Sequence, residues 1–430
     1  MINADGLLLL PGLVDGHTHF AATTGTGETR DDFAAGSAAA AAGGTTTYVN
    51  FVPQEPSQSL IEALKGEQVR AAGSSHVDYG FHLQLGTPGP DWREELRAVV
   101  DAGVTSLKVF TTFKDTISYT SDWHWLRLLA EAAKVGAIVQ VHAENDEILS
   151  GSLEELVSEG KTSPRHWAES RPEMAESETV ARGLFFAERT GSPIYFVHLS
   201  SRLSIDLVSA ARERGFPAYA ECCTHHLTLN ADCYMGADPL RFIMAPPLRP
   251  ERTRLALEEA VISGRVDVLG SDHVALALDE RGTEEDIRGV APGIPGAELL
   301  WPVIHTQLVA KGGMPLEQAV ALVSSRPATI FGLTGKGSIR TGYDADLVLF
   351  DPEAIHRVER SGLMSRTGYS PWEGFELRGR VVRTISRGKT IFEDGVLVGS
   401  PGDGHFVPAE RFSQSRVESV LKAPKVGVRG

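Results

Sequence analysis

Cysteine, positive charge and long apolar runs are all in short supply. The 430 residues include only three cysteines, Cys222, Cys223 and Cys233, too few for a disulfide framework, so a reducing cytoplasm is the default setting. Lysine and arginine total 41 against 56 aspartates and glutamates, and the net charge of −15 repels phosphate backbones and anionic lipid. Nucleic acid and membrane surfaces are thereby excluded as partners. No stretch approaches the ~20 apolar residues that span a bilayer. The run Leu7, Leu8, Leu9, Leu10 is short and follows Asp5 rather than a basic segment, so it does not read as a signal peptide. There is no internal repeat and no glycine fingerprint: Gly36, Gly43 and Gly44 lack the spacing that cradles phosphate.

What is present is globular. Hydrophobic residues make up 42% and charged residues 23%, and the length suits one barrel-sized domain with a small accessory. Short runs rich in β-branched or aromatic residues fall at 48–52, 77–85, 105–111, 137–143, 194–199, 218–222 and 266–270, with 8–14 as a first strand. Amphipathic helical patterns lie between them, several stopped by glycine, as at Gly103, Gly136 and Gly215. Strands apolar on both faces imply a parallel sheet, and this many βα units imply an α/β fold of the (β/α)8, TIM-like kind, with a doubly wound sheet as the alternative. Residues 1–336 are expected to form this barrel, residues 337–403 a small β domain and residues 404–430 a flexible or partner-docking tail.

The segment Val14-Asp15-Gly16-His17-Thr18-His19 carries the first chemical signal, because residues i and i+2 of a strand project to one face. Lys108, His142, His198 and Asp272 each fall at or near the C-terminal end of an expected strand, where barrel enzymes gather their active-site groups. A lysine inside the apolar run SLKVF is costly to bury unless its head snorkels out or pairs with Asp272. The chemical reading is that its neutral amine adds CO2, giving a carbamate whose two oxygens bridge two cations. Nitrogen and oxygen ligands of this kind suit zinc or a neighbouring divalent metal. His225 and His226 read as supporting or surface residues, His82 as a satisfied core histidine, and His273 as pointing away from Asp272. Cys222 and Cys223 cannot both face one metal from a strand, which disfavours a zinc–thiolate site.

These residues together resemble the amidohydrolase superfamily, in detail its hydantoinase/dihydropyrimidinase branch. The likeness is carried by PGLVDGHTHF (11–20), DDFAAGSAAAAAGGTTT (31–47), DYGFH (78–82), SLKVF (106–110), VHAEN (141–145), SRPEMAESETV (170–180), APPLR (245–249), GSDH (270–273) and DADLVLFDP (344–352). The resemblance implies one metal held by His17, His19 and Asp272, a second held by His142 and His198, and carbamylated Lys108 bridging the two. It implies hydrolytic opening of a cyclic amide or imide, with Asp272 as the catalytic general base and then general acid, and a homo-oligomer, dimer or tetramer. Dihydroorotases place an arginine just after the HxH pair, where this chain has Ala21 after Phe20. Allantoinases are a nearer rival, and an acyclic amide substrate or a metal-free scaffold are the further alternatives.

The sequence departs from the branch at the substrate. A tyrosine is usual five residues after the bridging lysine, and here Phe113 stands there. The asparagine of the usual PNG loop aligns with Pro292, which has no N–H, and the serine before PPLR is Ala245. Plain hydantoin and dihydrouracil are therefore disfavoured as substrates. Relatives also place several strands ahead of the HxH pair. Here His17 arrives almost at once, so either the chain starts late or the small domain is built from C-terminal strands alone, with an exposed edge.

Overall fold

The computed structural model describes residues 3–421 apart from 25–26, 56–57, 86–88, 115, 117 and 284. The strands are β1 (Leu8–Pro11), β2 (Leu13–Thr18), β3 (Thr45–Pro53), β4 (Asp78–Gln84), β5 (Ser106–Phe110), β6 (Ile138–His142), β7 (Ile194–Phe196), β8 (Ala218–Cys223) and β9 (Val268–Gly270). Strands β2 to β9 form one 8-stranded sheet in chain order, with every neighbouring pair parallel. The sheet nearly closes: Ser271 donates its N–H to Asp15 and its hydroxyl to the His17 carbonyl, and the His19 N–H donates to the His273 carbonyl at 3.0 Å. Helices such as α1 (Phe33–Ala42), capped by Asp32, cover the outside, so strands like β6 are buried along their whole length.

The expected first strand at 8–14 is in fact two strands in two sheets. β1 pairs antiparallel with β10 (Leu347–Arg357), which continues through β11 (Glu376–Ser386), β12 (Lys389–Glu393) and β13 (Val396–Leu397) as a separate 5-stranded sheet. The small sheet is thus not built from C-terminal strands alone, and residues 8–11 do not belong to the barrel. Gly12 marks the crossing point, where a Cβ would come within 2.1 Å of the Thr46 hydroxyl and 2.7 Å of Asp346 Cβ. Only a residue without a side chain passes that close.

The polar stretch from His405, expected as a flexible or partner-docking tail, docks on the chain's own barrel up to Leu421. It runs under the N-terminal end of the barrel, where the Tyr79 N–H donates to the His405 carbonyl, Ala409 N–H to Gly103 and Phe412 N–H to Gly136. A final helix, α2 (Gln414–Leu421), buries Val417 beside Phe331 and Tyr219. Pattern alone misses this docking because the anchoring residues are spaced along an extended segment rather than at a helical or strand period. Residues 422–430 of the expected tail lie outside the described residues. The plugged floor leaves the opposite, C-terminal end of the barrel as the place for chemistry.

Candidate metal centre

His17, His19, Lys108, His142, His198 and Asp272 converge at that end. His17 lies in β2 and His19 just beyond it, and their rings are 5.3 Å apart between centroids. His17 is 5.4 Å from the His198 ring, which is 4.6 Å from His142. Oδ1 of Asp272 is 3.0 Å from His17 Nε2 and 3.3 Å from His19 Nε2. The Lys108 Nζ sits 4.6 Å from the Phe51 ring centroid and 4.9 Å from that of Phe110. The expected strand at 194–199 ends at Phe196, because His198 turns into left-handed backbone with φ 40°; Asp272 does the same at φ 46°. Such strain in non-glycine residues persists where surroundings hold it, typically at functional sites.

Two buried carboxylates orient two of these imidazoles. His17 Nδ1–H donates to Glu221 Oε1 at 2.6 Å, and His142 Nε2–H donates to Glu144 Oε2 at 2.7 Å. Each bond commits one ring nitrogen to a carboxylate and leaves the other for a further partner. Glu221 also accepts from Tyr195 and from the His198 N–H, while Glu144 is gripped by Arg171. Neither glutamate stood out as functional from sequence. The available signals were a carboxylate inside the apolar strand at 218–222 and a glutamate two residues past a candidate ligand.

Burial favours neutral imidazole and neutral amine here. It lowers His19 to about 4 and drives His198 well below the usual histidine range. Burial also brings the Lys108 ammonium down to about 8, with Asp272 and Glu221 opposing it. For His17 burial pushes the same way, but Glu221 and Asp272 outweigh it and hold the ring near 9. Asp272 is held well below the usual carboxylate range despite burial, chiefly by the charge of His17.

The donor set fits divalent metal. Glu221 and Asp272 together favour a proton on His17, whose Nε2 lies 3.0 Å from Asp272 Oδ1; His198 Nδ1 is buried and unpartnered. A divalent cation between His17 Nε2 and the carboxylate would take the place of the proton. Nitrogen and oxygen atoms ~3 Å apart have the spacing of neighbours around an ion bound at ~2.0–2.2 Å.

The other residues singled out from sequence lie around this centre or in the core. Phe113 holds left-handed backbone at φ 63°, with its ring 5.6 Å from His142 and under the Arg171 guanidinium. The Gly293 N–H donates to the Ile243 carbonyl, which ties the loop of Pro292 to the loop of Ala245. His82 is buried and bonded to Ser106 and the Gly16 carbonyl, and His273 turns away to Asp31 at 3.0 Å. His225 and His226 are fully buried rather than on the surface.

Residues 8–391 match the Amidohydrolase family. The chain is 37% identical over 419 residues to a D-hydantoinase of Rhizobium radiobacter, covering 96% of this chain and 91% of that protein. It is 35% identical to a D-phenylhydantoinase of Escherichia coli O1:K1 / APEC, covering 96% and 90%. The crystal structure of dihydropyrimidinase from Brevibacillus agri NCHU1002 superposes with a TM-score of 0.93 at 33% identity, over 96% of this chain and 90% of that one. A parallel barrel with imidazoles, a lysine and an aspartate gathered at its open end, matched over nearly its whole length by such relatives, places this chain in the amidohydrolase family.

Proposed function

We propose that the protein is a binuclear metal-dependent hydrolase that opens a cyclic amide or imide ring. His17, His19 and Asp272 hold one divalent cation, His142 and His198 a second, and Lys108, carbamylated on Nζ, bridges them. Zinc is the expected metal, since the donors are imidazole nitrogen and carboxylate oxygen. The observation that carries this reading is that Asp272 Oδ1 lies 3.0 Å from His17 Nε2 and 3.3 Å from His19 Nε2, with Glu221 behind His17. The hydantoinase and dihydropyrimidinase relatives support the substrate class.

A metal pair held this way supplies a hydroxide nucleophile near neutral pH and polarises the carbonyl to be attacked. The protein's residues do the rest. Asp272, ionised and with its side chain 12% exposed at the mouth, takes the proton from the attacking water and returns it to the leaving ring nitrogen. Glu221 and Glu144 keep His17 and His142 in one tautomer through the cycle. Burial lowers Lys108 to about 8, which enlarges the share of neutral amine, the form that adds CO2.

Phe113, Ala245 and Pro292 bound the substrate. The Phe113 ring offers no donor, Pro292 has no N–H, and the neighbouring Thr112 hydroxyl is engaged by Asp146. A ring carrying an apolar substituent suits such a wall better than plain hydantoin or dihydrouracil, and the Escherichia coli relative is named for a phenyl-substituted hydantoin. The protein acts in the reducing cytoplasm, as a homodimer or homotetramer; among the described residues no helix is long and apolar enough to cross a membrane.

The test is a panel of hydantoins, 5-aryl hydantoins, dihydropyrimidines, allantoin, cyclic imides and acyclic amides, with products read by mass spectrometry. Ring opening of 5-substituted hydantoins in preference to the parent ring is expected. Turnover confined to allantoin or to acyclic amides would reject the substrate reading.

A further inference from the structure

We propose that Cys223, His225 and His226 form a site for one thiophilic divalent cation, separate from the imidazole, lysine and carboxylate groups assigned to the metal pair. β8 ends at Cys223 and the chain turns at once into a short helix, Thr224–Thr228, which brings these residues round to one point. The Cys223 Sγ and one ring nitrogen from each histidine lie within 4.8 Å of one another, and all three residues are buried. Sulfur and nitrogen bound to zinc at ~2.3 and ~2.0–2.1 Å sit closer together than that, so small side-chain rotations complete the site.

The hydrogen bonding points to a missing ligand. Neither ring nitrogen of His225 has a partner, and neither does Nδ1 of His226. The His226 Nε2–H donates to the Pro246 carbonyl at 3.1 Å, which places the lone pair on Nδ1. Buried polar atoms are nearly always satisfied, and several unsatisfied ones on adjoining rings require an explanation. Burial keeps both imidazoles neutral, the ligating form, and His226 is lowered to about 4. Cys223 is a free thiol, whereas Cys222 donates its S–H to the Leu199 carbonyl at 3.2 Å and Cys233 lies outside the cluster. Cation binding at Cys223 expels the thiol proton. A thiolate with two imidazoles selects zinc or cadmium over magnesium or calcium.

The proposed metal pair contains no sulfur, so a thiolate signal reports this site alone, and failure of the pair would appear instead as loss of metal without change in that signal. The experiment titrates cadmium into the whole protein as isolated. It follows the cadmium–thiolate charge-transfer absorption and, after equilibrium dialysis, the bound metal by elemental analysis. One equivalent is expected to bind with the thiolate band and with release of a proton. Cys223→Ser should lose both the band and that equivalent, and Cys233→Ser should keep them. His225→Gln and His226→Gln should each weaken binding at least about tenfold, the loss that follows removal of even an outer partner of a metal ligand. If Cys223→Ser does not fold, the two histidine variants decide the matter. No thiolate band in the wild type, unchanged cadmium affinity in both histidine variants, or a band abolished by Cys233→Ser would each overturn the site.

Discussion

Glu221 and His17 are 204 positions apart in the chain, yet Oε1 of one is 2.6 Å from Nδ1 of the other, with both side chains fully buried. The pair reaches past the edge strand β9, since β2 carries the histidine and β8 the glutamate. It also decides which nitrogen of His17 faces Asp272.

Glu221→Gln keeps the shape and removes the charge that polarises the His17 ring. Metal affinity should fall by about 10- to 100-fold. Competition against a chelator measures it, and activity restored by excess metal separates weakened binding from misfolding. Unchanged affinity would show that Tyr195 and the His198 N–H, the other donors to Glu221, are what it serves.

The purified protein should hold close to two divalent ions per chain outside any thiolate site, and chelation should abolish turnover. His17→Ala and His142→Ala each delete a nitrogen ligand and should lower the metal content found by elemental analysis. Full activity in rigorously metal-free protein would eliminate the mechanism.

Lys108→Ala should abolish the paired site, and short carboxylic acids added with metal should restore part of the activity by standing in for the carbamate. In the wild type, carbamylation needs the neutral amine. The depressed lysine, near 8, gives up its proton as pH rises through that value. Reconstitution of metal-free protein should therefore quicken with bicarbonate and as pH climbs past about 8. A rate indifferent to both would argue for an uncarbamylated lysine.

Asp272→Asn preserves volume but cannot shuttle a proton. Turnover should drop by about 10²- to 10⁴-fold, the usual worth of general acid–base catalysis. Comparing kcat with metal content shows whether the loss is chemical or a loss of ligand.

Phe113→Tyr should move selectivity toward small polar rings. A buried polar group left unpaired costs about 1–3 kcal/mol, so supplying a hydroxyl is worth roughly 10- to 100-fold in kcat/KM for dihydrouracil relative to a 5-aryl hydantoin. Efficient wild-type turnover of dihydrouracil would remove the premise.

Much of this architecture was legible along the chain. The alternation of apolar runs with amphipathic helices dictates parallel strands, because each signal resides in residues close in sequence and repeats at the period of its own element. His17 and His19 share a face through the two-residue period, and Lys108, His142, His198 and Asp272 come together because strand ends meet at one rim. Other features answer to no local period. Whether residues 8–11 join the barrel or the small sheet depends on the tight crossing at Gly12 beside Thr46 and Asp346. The docking of residues 405–421 under the floor depends on partners as distant as Tyr79 and Gly103. The same holds for the glutamate behind His17 and for the thiol that meets His225 and His226. Sequence by itself determined the elements, their order and the rim on which the reactive side chains lie. Only closure of the barrel decided which buried atoms face one another, because that choice is made by packing between segments the chain keeps far apart.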